Sequence, residues 1–355
     1  MYVDIRYDNK EQRMTDTVLI TGGCGFIGSN LAAYLLAQGV RVRVFDSLAR
    51  SGSERNAAWL ASLNHPHLEL VRGDVRDAAA VAAAVAGVQT VVHLAAQVAV
   101  TRSVEQPRYD FEVNALGTLN VLEAARSMPT PPLMIYTSTN KVYGDTRQIV
   151  IEETDTRYIY ADRRAGIDEN LPLDFHSPYG CSKGSADQYV LDYARIYGVP
   201  GVVLRMSCIY GPHQFGNEDQ GWVAHFLIRA LAQQPITIYG NGKQVRDLLY
   251  VDDLLRLFWM IHCNPTAAVG HAFNIGGGAE RTISIWREFA PLIAQYTHTE
   301  LSVSYGEWRP GDQRVYISDI GKAQAVLGWQ PQVSIADGVQ RMQAWLRAHH
   351  PDLAG

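Results

Sequence analysis

Val18-Leu19-Ile20-Thr21 runs directly into Gly22-Gly23-Cys24-Gly25-Phe26-Ile27-Gly28. The apolar run reads as a buried strand, and glycines at 22, 25 and 28 mark a strand-turn-helix. Their missing side chains permit a tight turn, close approach of backbone amides to a pyrophosphate, and close packing of helix on strand. Negative charge then rests on the helix N-terminus, whose first N–H groups have no partner inside the helix. A glycine triplet alone is also what a structural turn uses. Context decides between them. The next apolar run ends at Asp46, about 20 residues after the glycines, where a carboxylate accepts hydrogen bonds from ribose hydroxyls and repels a 2′-phosphate. The alternative for Asp46 is a helix or turn cap. The whole pattern predicts a site for NAD in preference to NADP, with the cation of Arg50 nearby pulling the other way.

Outward from this stretch, strand-like and helical patterns alternate. A helix from about Gly25 to Gln38 precedes strands at Val40 to Phe45 and Leu68 to Arg72. An alanine-rich helix near Ala78 to Ala86, a strand at Thr90 to Leu94, a helix from about Val113 to Arg126 and a strand at Leu133 to Thr137 follow. A helix from about Ser182 to Ile196 and a strand at Gly201 to Met206 extend the series. Regular alternation implies a parallel sheet covered by helices on both faces, a doubly wound Rossmann α/β fold. Beyond Pro212 the texture turns to Gly, Gln, Asn and Trp among short apolar runs, which predicts a smaller C-terminal substrate-binding lobe. Leu248 to Val251 and Ala272 to Ile275 read as strands returning to the sheet, so the lobes interleave. The expected organisation is an N-terminal extension over 1–15, a Rossmann domain over 16–212 with contributions from about 245–277, and a substrate lobe over 213–355.

The chain has 355 residues, 47% of them hydrophobic, enough for a substantial core and incompatible with disorder over most of its length. Its formal charge of -5 gives no reason to expect nucleic acid or an anionic membrane as partner. Any anionic ligand must be met by local basic groups. Cys24, Cys181, Cys208 and Cys263 lie far apart without a CxxC pair, which fits neither a zinc site nor a disulfide framework and suits a reducing cytoplasm. No metal is expected. No apolar run reaches the roughly 18 residues that a membrane span needs, and the stretch before Met14 is charged and polar, unlike a signal peptide.

Tyr179-Gly180-Cys181-Ser182-Lys183 places a phenol and an ammonium four residues apart at the start of a helix, on one face. The cation is expected to favour phenolate and lower the tyrosine pKa toward working pH, as a general base for a sugar hydroxyl requires. Alone, this spacing is common by chance. With Gly73-Asp74-Val75, His93-Leu94-Ala95-Ala96, Asn114-Ala115-Leu116-Gly117-Thr118, Val142-Tyr143-Gly144 and Tyr210-Gly211-Pro212, the chain from about Thr17 to Trp345 resembles the extended short-chain dehydrogenases/reductases. That resemblance implies NAD held by Gly22, Gly25, Phe26, Ile27, Gly28, Asp46, Ser47 and Arg50. It puts Asp74 and Val75 at adenine, Leu94, Ala95 and Ala96 along phosphates and ribose, and Asn114 in support. Thr137, Tyr179 and Lys183 complete the cofactor set. Thr139, Tyr179 and Lys183 would be catalytic, with Thr139 sharing the substrate proton. Ser138 and Tyr143 would support substrate or cofactor.

Dehydratases of this family usually carry an Asp-Glu pair directly after the catalytic Thr, and Asn140 and Lys141 stand there instead. The resemblance therefore favours epimerisation of a nucleotide-diphosphate hexose through a transient keto-sugar. Ser138 to Asp145, His176 to Gly184, Asp219 to Val223 and Gly240 to Asp247 resemble the CDP-paratose 2-epimerase subgroup most. A UDP-hexose 4-epimerase would use the same residues at another carbon, and a non-catalytic NAD-binding scaffold is the remaining alternative. Expected substrate contacts are Thr139, Asn140, Lys141, Cys208, Gly221, Trp222, Val223, Tyr239 and Asp312, with Arg246 and Arg309 on the diphosphate, where guanidinium geometry suits phosphate oxygens. Ile238 and Tyr239 would pack on the base. Cys208 replaces an Asn common in relatives, with Trp222, His213 and His225 as candidates to reshape the sugar pocket. The family's long helices, here near Val98 to Arg126 and Ser182 to Ile196, imply a homodimer or homotetramer.

Overall fold

The structure is a computed structural model that describes residues 16–309 and 312–349, so the expected N-terminal extension lies outside the described residues. Seven strands form one sheet in the order Ala272–Ile275, Gly201–Met206, Leu133–Thr139, Thr90–His93, Thr17–Thr21, Arg41–Asp46, Leu68–Arg72. Every neighbouring pair is parallel. Successive side chains of the first strand point to opposite faces: Val18 and Ile20 enter one core with Val42, Val44 and Val92, whereas Leu19 enters another with Val91, Met134 and Tyr136. Burial on both faces explains why central strands such as Thr17–Thr21 and Leu133–Thr139 read as continuous apolar runs, whereas the edge strand Leu68–Arg72 is largely exposed. Chain order reverses between Thr17–Thr21 and Thr90–His93, and at such a switch point a crevice opens beyond the strand carboxyl ends.

Three elements depart from the sequence reading. The stretch expected as one helix to Arg126 is divided into Val100–Glu105, Pro107–Phe111, a π-helical turn at Glu112–Leu116, and Gly117–Arg126. Pro107 interrupts amide donation at the first break. In the wide turn the Thr118 hydroxyl donates to the Asn114 carbonyl at 2.6 Å. The helix of Tyr179 starts earlier than expected, at Ser177, with Pro178 in its first turn, where a missing N–H costs nothing.

The third departure concerns Leu248 to Val251. Ala272–Ile275 does join the sheet, but Val245–Tyr250 does not. It pairs with Cys208–Tyr210, Thr282–Ser284 and Val315–Tyr316 in a separate four-stranded sheet. Cys208–Tyr210 follows Gly201–Met206 almost without interruption, so this second sheet grows off the carboxyl end of the first and stands beside the crevice. The helix Val251–Cys263 then returns to the main layer, where the hydroxyl of Thr90 meets His262 Nδ1 at 2.9 Å.

The helix Ser177–Tyr197 is fixed to strand Gly201–Met206 by a buried ion pair. Asp187, wholly buried, accepts from Arg205 Nε and Nη2, both at 2.9 Å. Removing one partner of such a pair leaves a charge without solvent or counter-ion. Asp187→Ala is expected to lower the free energy of unfolding by about 3–5 kcal/mol, read by chemical denaturation.

Candidate active site

A cavity of about 1120 Å³ fills the crevice at the switch point. Its floor is the glycine turn. Gly22 has φ of +67°, and a Cβ there would lie 2.7 Å from the Ala95 nitrogen; a Cβ on Gly28 would lie 2.6 Å from the Gly22 carbonyl oxygen. Backbone thus meets backbone where side chains would otherwise stand. The helix Phe26–Ala37 is capped by Gly25 without a side-chain hydrogen bond, which leaves its first amides to the cavity. Asp46 accepts from the amides of Cys24 at 2.9 Å and Leu48 at 2.8 Å. Burial pushes its pKa up and those two amides oppose the shift. Ser47 and Arg50 also line the wall, and the Arg50 guanidinium is engaged with Gln220 across the cavity mouth.

Asp74, Val75, Leu94, Ala95 and Ala96 line the same cavity. Arg76 clamps the Asp74 carboxylate, with Nη2 at 2.7 Å, and holds its pKa below the usual range. Thr137 faces the cavity and donates to the His93 carbonyl at 3.0 Å. Behind the wall, His93 Nε2 meets Thr118 and Nδ1 meets Thr21, at 3.0 and 2.6 Å. Since the Thr118 proton is committed to Asn114, Nε2 is the donor here. Asn114 does not reach the cavity. It is fully buried, and joins Gln97 to Ser182 as a support.

Thr139, Tyr179 and Lys183 all face the cavity. Thr139 comes from the end of strand Leu133–Thr139 and the other two from one face of Ser177–Tyr197. Thr139 stands beside the Tyr179 phenol and favours phenolate, while its hydroxyl donates to Asn140 Oδ1 at 3.3 Å. The expected lowering of the tyrosine by its lysine is not what the structure shows. Burial dominates and pushes Tyr179 up to about 12. The same burial brings Lys183 down to about 7, its ammonium donating to the Thr137 carbonyl at 2.6 Å over the Tyr136 ring. In so enclosed a site, desolvation of each charged form outweighs their mutual attraction.

Asn140, Cys208, Gly221, Trp222 and Val223 line the cavity beyond this pair, as does His213, which stacks on Trp59. His225 stands off the wall, beside Phe226. Arg246 is buried and gives Nη2 to Asp312 at 2.7 Å. Burial of the Lys141 amine, and then the charge of Arg246, push its pKa down, and Cys208 links this group to the cavity. Arg309 lies 3.9 Å over the Tyr239 ring and donates to the Glu218 carbonyl at 2.9 Å. Tyr239, Arg246, Arg309 and Asp312 thus flank the cavity without lining it.

The sequence reading missed the opposite wall, Gln97 to Tyr109, which supplies Gln97, Thr101, Arg102 and Tyr109. Thr101, Arg102, Glu105, Gln106 and Tyr109 recur at helical spacing, but a polar helical stripe reads as a solvated face until the fold turns it to a cavity. Nor did it single out Ser138, whose buried hydroxyl lines the cavity without a partner, as a primary contact.

A family model described as GDP-mannose 4,6 dehydratase matches residues 19–342. CDP-paratose 2-epimerase from Salmonella typhi is 47% identical over 335 residues, covering 92% of this chain and 98% of that one. Among solved structures, the UDP-glucose 4-epimerase of Thermus thermophilus in complex with NAD has a TM-score of 0.79 at 32% identity, over 94% of this chain and 99% of its own. The NAD-bound dTDP-glucose 4,6-dehydratase of Streptomyces venezuelae has a TM-score of 0.81 at 31% identity, over 94% and 98%. The residues present fit that cofactor: the glycine cradle admits only backbone, and Asp46 closes its ribose end. Gly28→Ala is expected to weaken NAD binding by at least roughly 10-fold, the equivalent of 1.4 kcal/mol, in a calorimetric titration, since its methyl would have to displace the turn.

Proposed function

Because the chain belongs to the GDP-mannose 4,6 dehydratase family of extended short-chain dehydrogenases, we propose that it is a CDP-paratose 2-epimerase. It is an NAD-dependent enzyme that epimerises a nucleotide sugar. NAD, when bound, supplies the position that takes and returns a hydride and a positive charge that favours phenolate. Gly22, Gly25 and Gly28 would hold its pyrophosphate and Asp46 its ribose. Tyr179 would take the proton of the sugar hydroxyl and later return it, with Thr139 on the same proton and Lys183 fixing the phenol's surroundings. The sugar carbon passes through a ketone, and redox balance is restored within one turnover.

The identity to CDP-paratose 2-epimerase carries the choice of substrate. What supports epimerisation over elimination is the wall after Thr139, where the amide of Asn140 stands in place of a carboxylic acid. A UDP-hexose 4-epimerase would need the same Tyr179, Thr139 and Lys183, so the product discriminates.

The chain is further assigned to a homo-oligomer. Phe111 and Leu116 on one helical run, and Tyr189, Ile196 and Tyr197 on the helix of Tyr179, are exposed apolar groups, with Phe111 at 56% and Ile196 at 62%. These are the helices that the family resemblance pairs across a dimer. All four cysteines are free, which supports a reducing cytoplasm, and among the described residues no helix is long and apolar enough to cross a membrane.

Incubation of CDP-paratose with enzyme and sub-stoichiometric NAD is expected to yield the carbon-2 epimer by NMR, and no carbon-4 epimer from UDP-glucose. Stoichiometric accumulation of NADH would exclude the reading. Tyr179→Phe should lower kcat by roughly 10²–10⁴-fold with NAD still bound. Phe111→Glu combined with Ile196→Glu should convert the oligomer to monomer in sedimentation velocity.

A further inference from the structure

Directly behind the catalytic pair lies a carboxylate that no step above uses. Asp110 is fully buried. Its Oδ2 accepts from the Ser182 hydroxyl at 2.5 Å, and its Oδ1 from Gln97 Nε2 at 2.9 Å and Asn114 Nδ2 at 3.1 Å. All three donors are neutral. Ser182 Oγ also lies 3.2 Å from the carbonyl of Tyr179, so the carboxylate is tied to the first turns of the helix that carries both Tyr179 and Lys183.

Charge balance gives this arrangement its meaning. Lys183 is 3% exposed, and an isolated ammonium at such depth is costly. Two carboxylates favour its charged form, Asp187 and Asp110. Asp187 is already committed to Arg205 through two bonds, whereas among the described residues no cation hydrogen-bonds Asp110. Of the other groups facing Lys183, His93 is neutral, pushed down to about 3 by burial and by Lys183 itself. Tyr136 and Tyr179 are phenols raised by burial. On the elements around Asp110, Arg108 turns to solvent near Glu112, and Arg102 and Arg76 stack on Tyr109.

We propose that Asp110 is a positioning residue of the reaction: a buried counter-charge that favours the ammonium form of Lys183, held in register with it through Ser182 and Asn114. The kinetic consequence rests on the epimerase reading. The charge relation itself needs no substrate.

The test is the titration of the Lys183 amine in the full-length protein, followed by isotope-edited NMR of lysine side chains and assigned with Lys183→Met. Asp110→Asn keeps the shape and removes the charge. It should move the Lys183 midpoint to lower pH by about one unit, a tenfold change in acid constant. Ser182→Ala, which loosens the carboxylate's hold on the helix, should move it the same way by less, and Asp110→Glu should return it most of the way to the parent value. On the nucleotide sugar that the parent enzyme turns over, the alkaline limb of kcat in Asp110→Asn should shift by the same amount, with KM little changed. A role confined to folding would lower thermal stability and leave both midpoint and limb in place, which would overturn the proposal. Should Asp110→Asn not fold, Ser182→Ala decides alone, and an unmoved midpoint refutes. Failure of the CDP-sugar assay leaves the lysine titration intact, so the two readings fail separately.

Discussion

Everything in the site depends on the close approach of two backbones, Gly22 at the end of the first strand and Ala95 after the fourth, where a single methyl group would collide at 2.7 Å. The helix Phe26–Ala37 begins four residues after Gly22, and its first turn, with no side-chain cap, lines the opening. A cavity floored by amides instead of side chains is the result, and an acidic protein with little bulk attraction for phosphate gains a local field that holds it.

The opposite end of the cavity obeys another constraint, desolvation. Tyr179 and Lys183 are brought together by helical spacing, and the simple Coulomb argument from that spacing predicts mutual activation. Both are so enclosed that burial wins for each, raising the phenol and lowering the amine. Spacing therefore places the pair but does not by itself set its ionisation. Burial sets it first, and for Lys183 the carboxylates of Asp187 and Asp110 oppose that burial.

Much of this was legible from the chain because local chemistry and global fold agree. The glycine turn and the position of Asp46 are each ambiguous alone but agree within the alternation of apolar runs, and strands such as Leu68–Arg72 and Gly201–Met206 fall where the pattern places them. Val245–Tyr250 is different. Its apolar run says that it is buried, but pairing depends on what lies beside it, and Cys208–Tyr210 captures it for a second sheet. The π turn at Glu112–Leu116 carries no residue that announces it, since it contains neither Pro nor Gly and is flanked on both sides by helix. Asn114 carries a motif yet stands behind the wall, since a motif records a requirement without saying whether the residue touches ligand. Asp110 escaped because a carboxylate one helical turn before Asn114 reads as an exposed face until the tertiary fold covers it.

The same reasoning bears on why this site favours one chemistry. Inverting a carbinol carbon asks for one proton to leave and return at a single oxygen, and one phenol with a hydroxyl partner suffices. Elimination asks for a second acid and base at the neighbouring carbon. In a cavity this enclosed, each added ionisable side chain must bring a counter-charge or shift its pKa until it is neutral. Lys183 already draws on two carboxylates, and the residues that follow Thr139 are an amide and an amine whose pKa is lowered by burial and then by the nearby Arg246. A carboxylic acid at Asn140 would add a third ionisable group to that balance, whereas the amide accepts from the Thr139 hydroxyl at 3.3 Å and adds no charge.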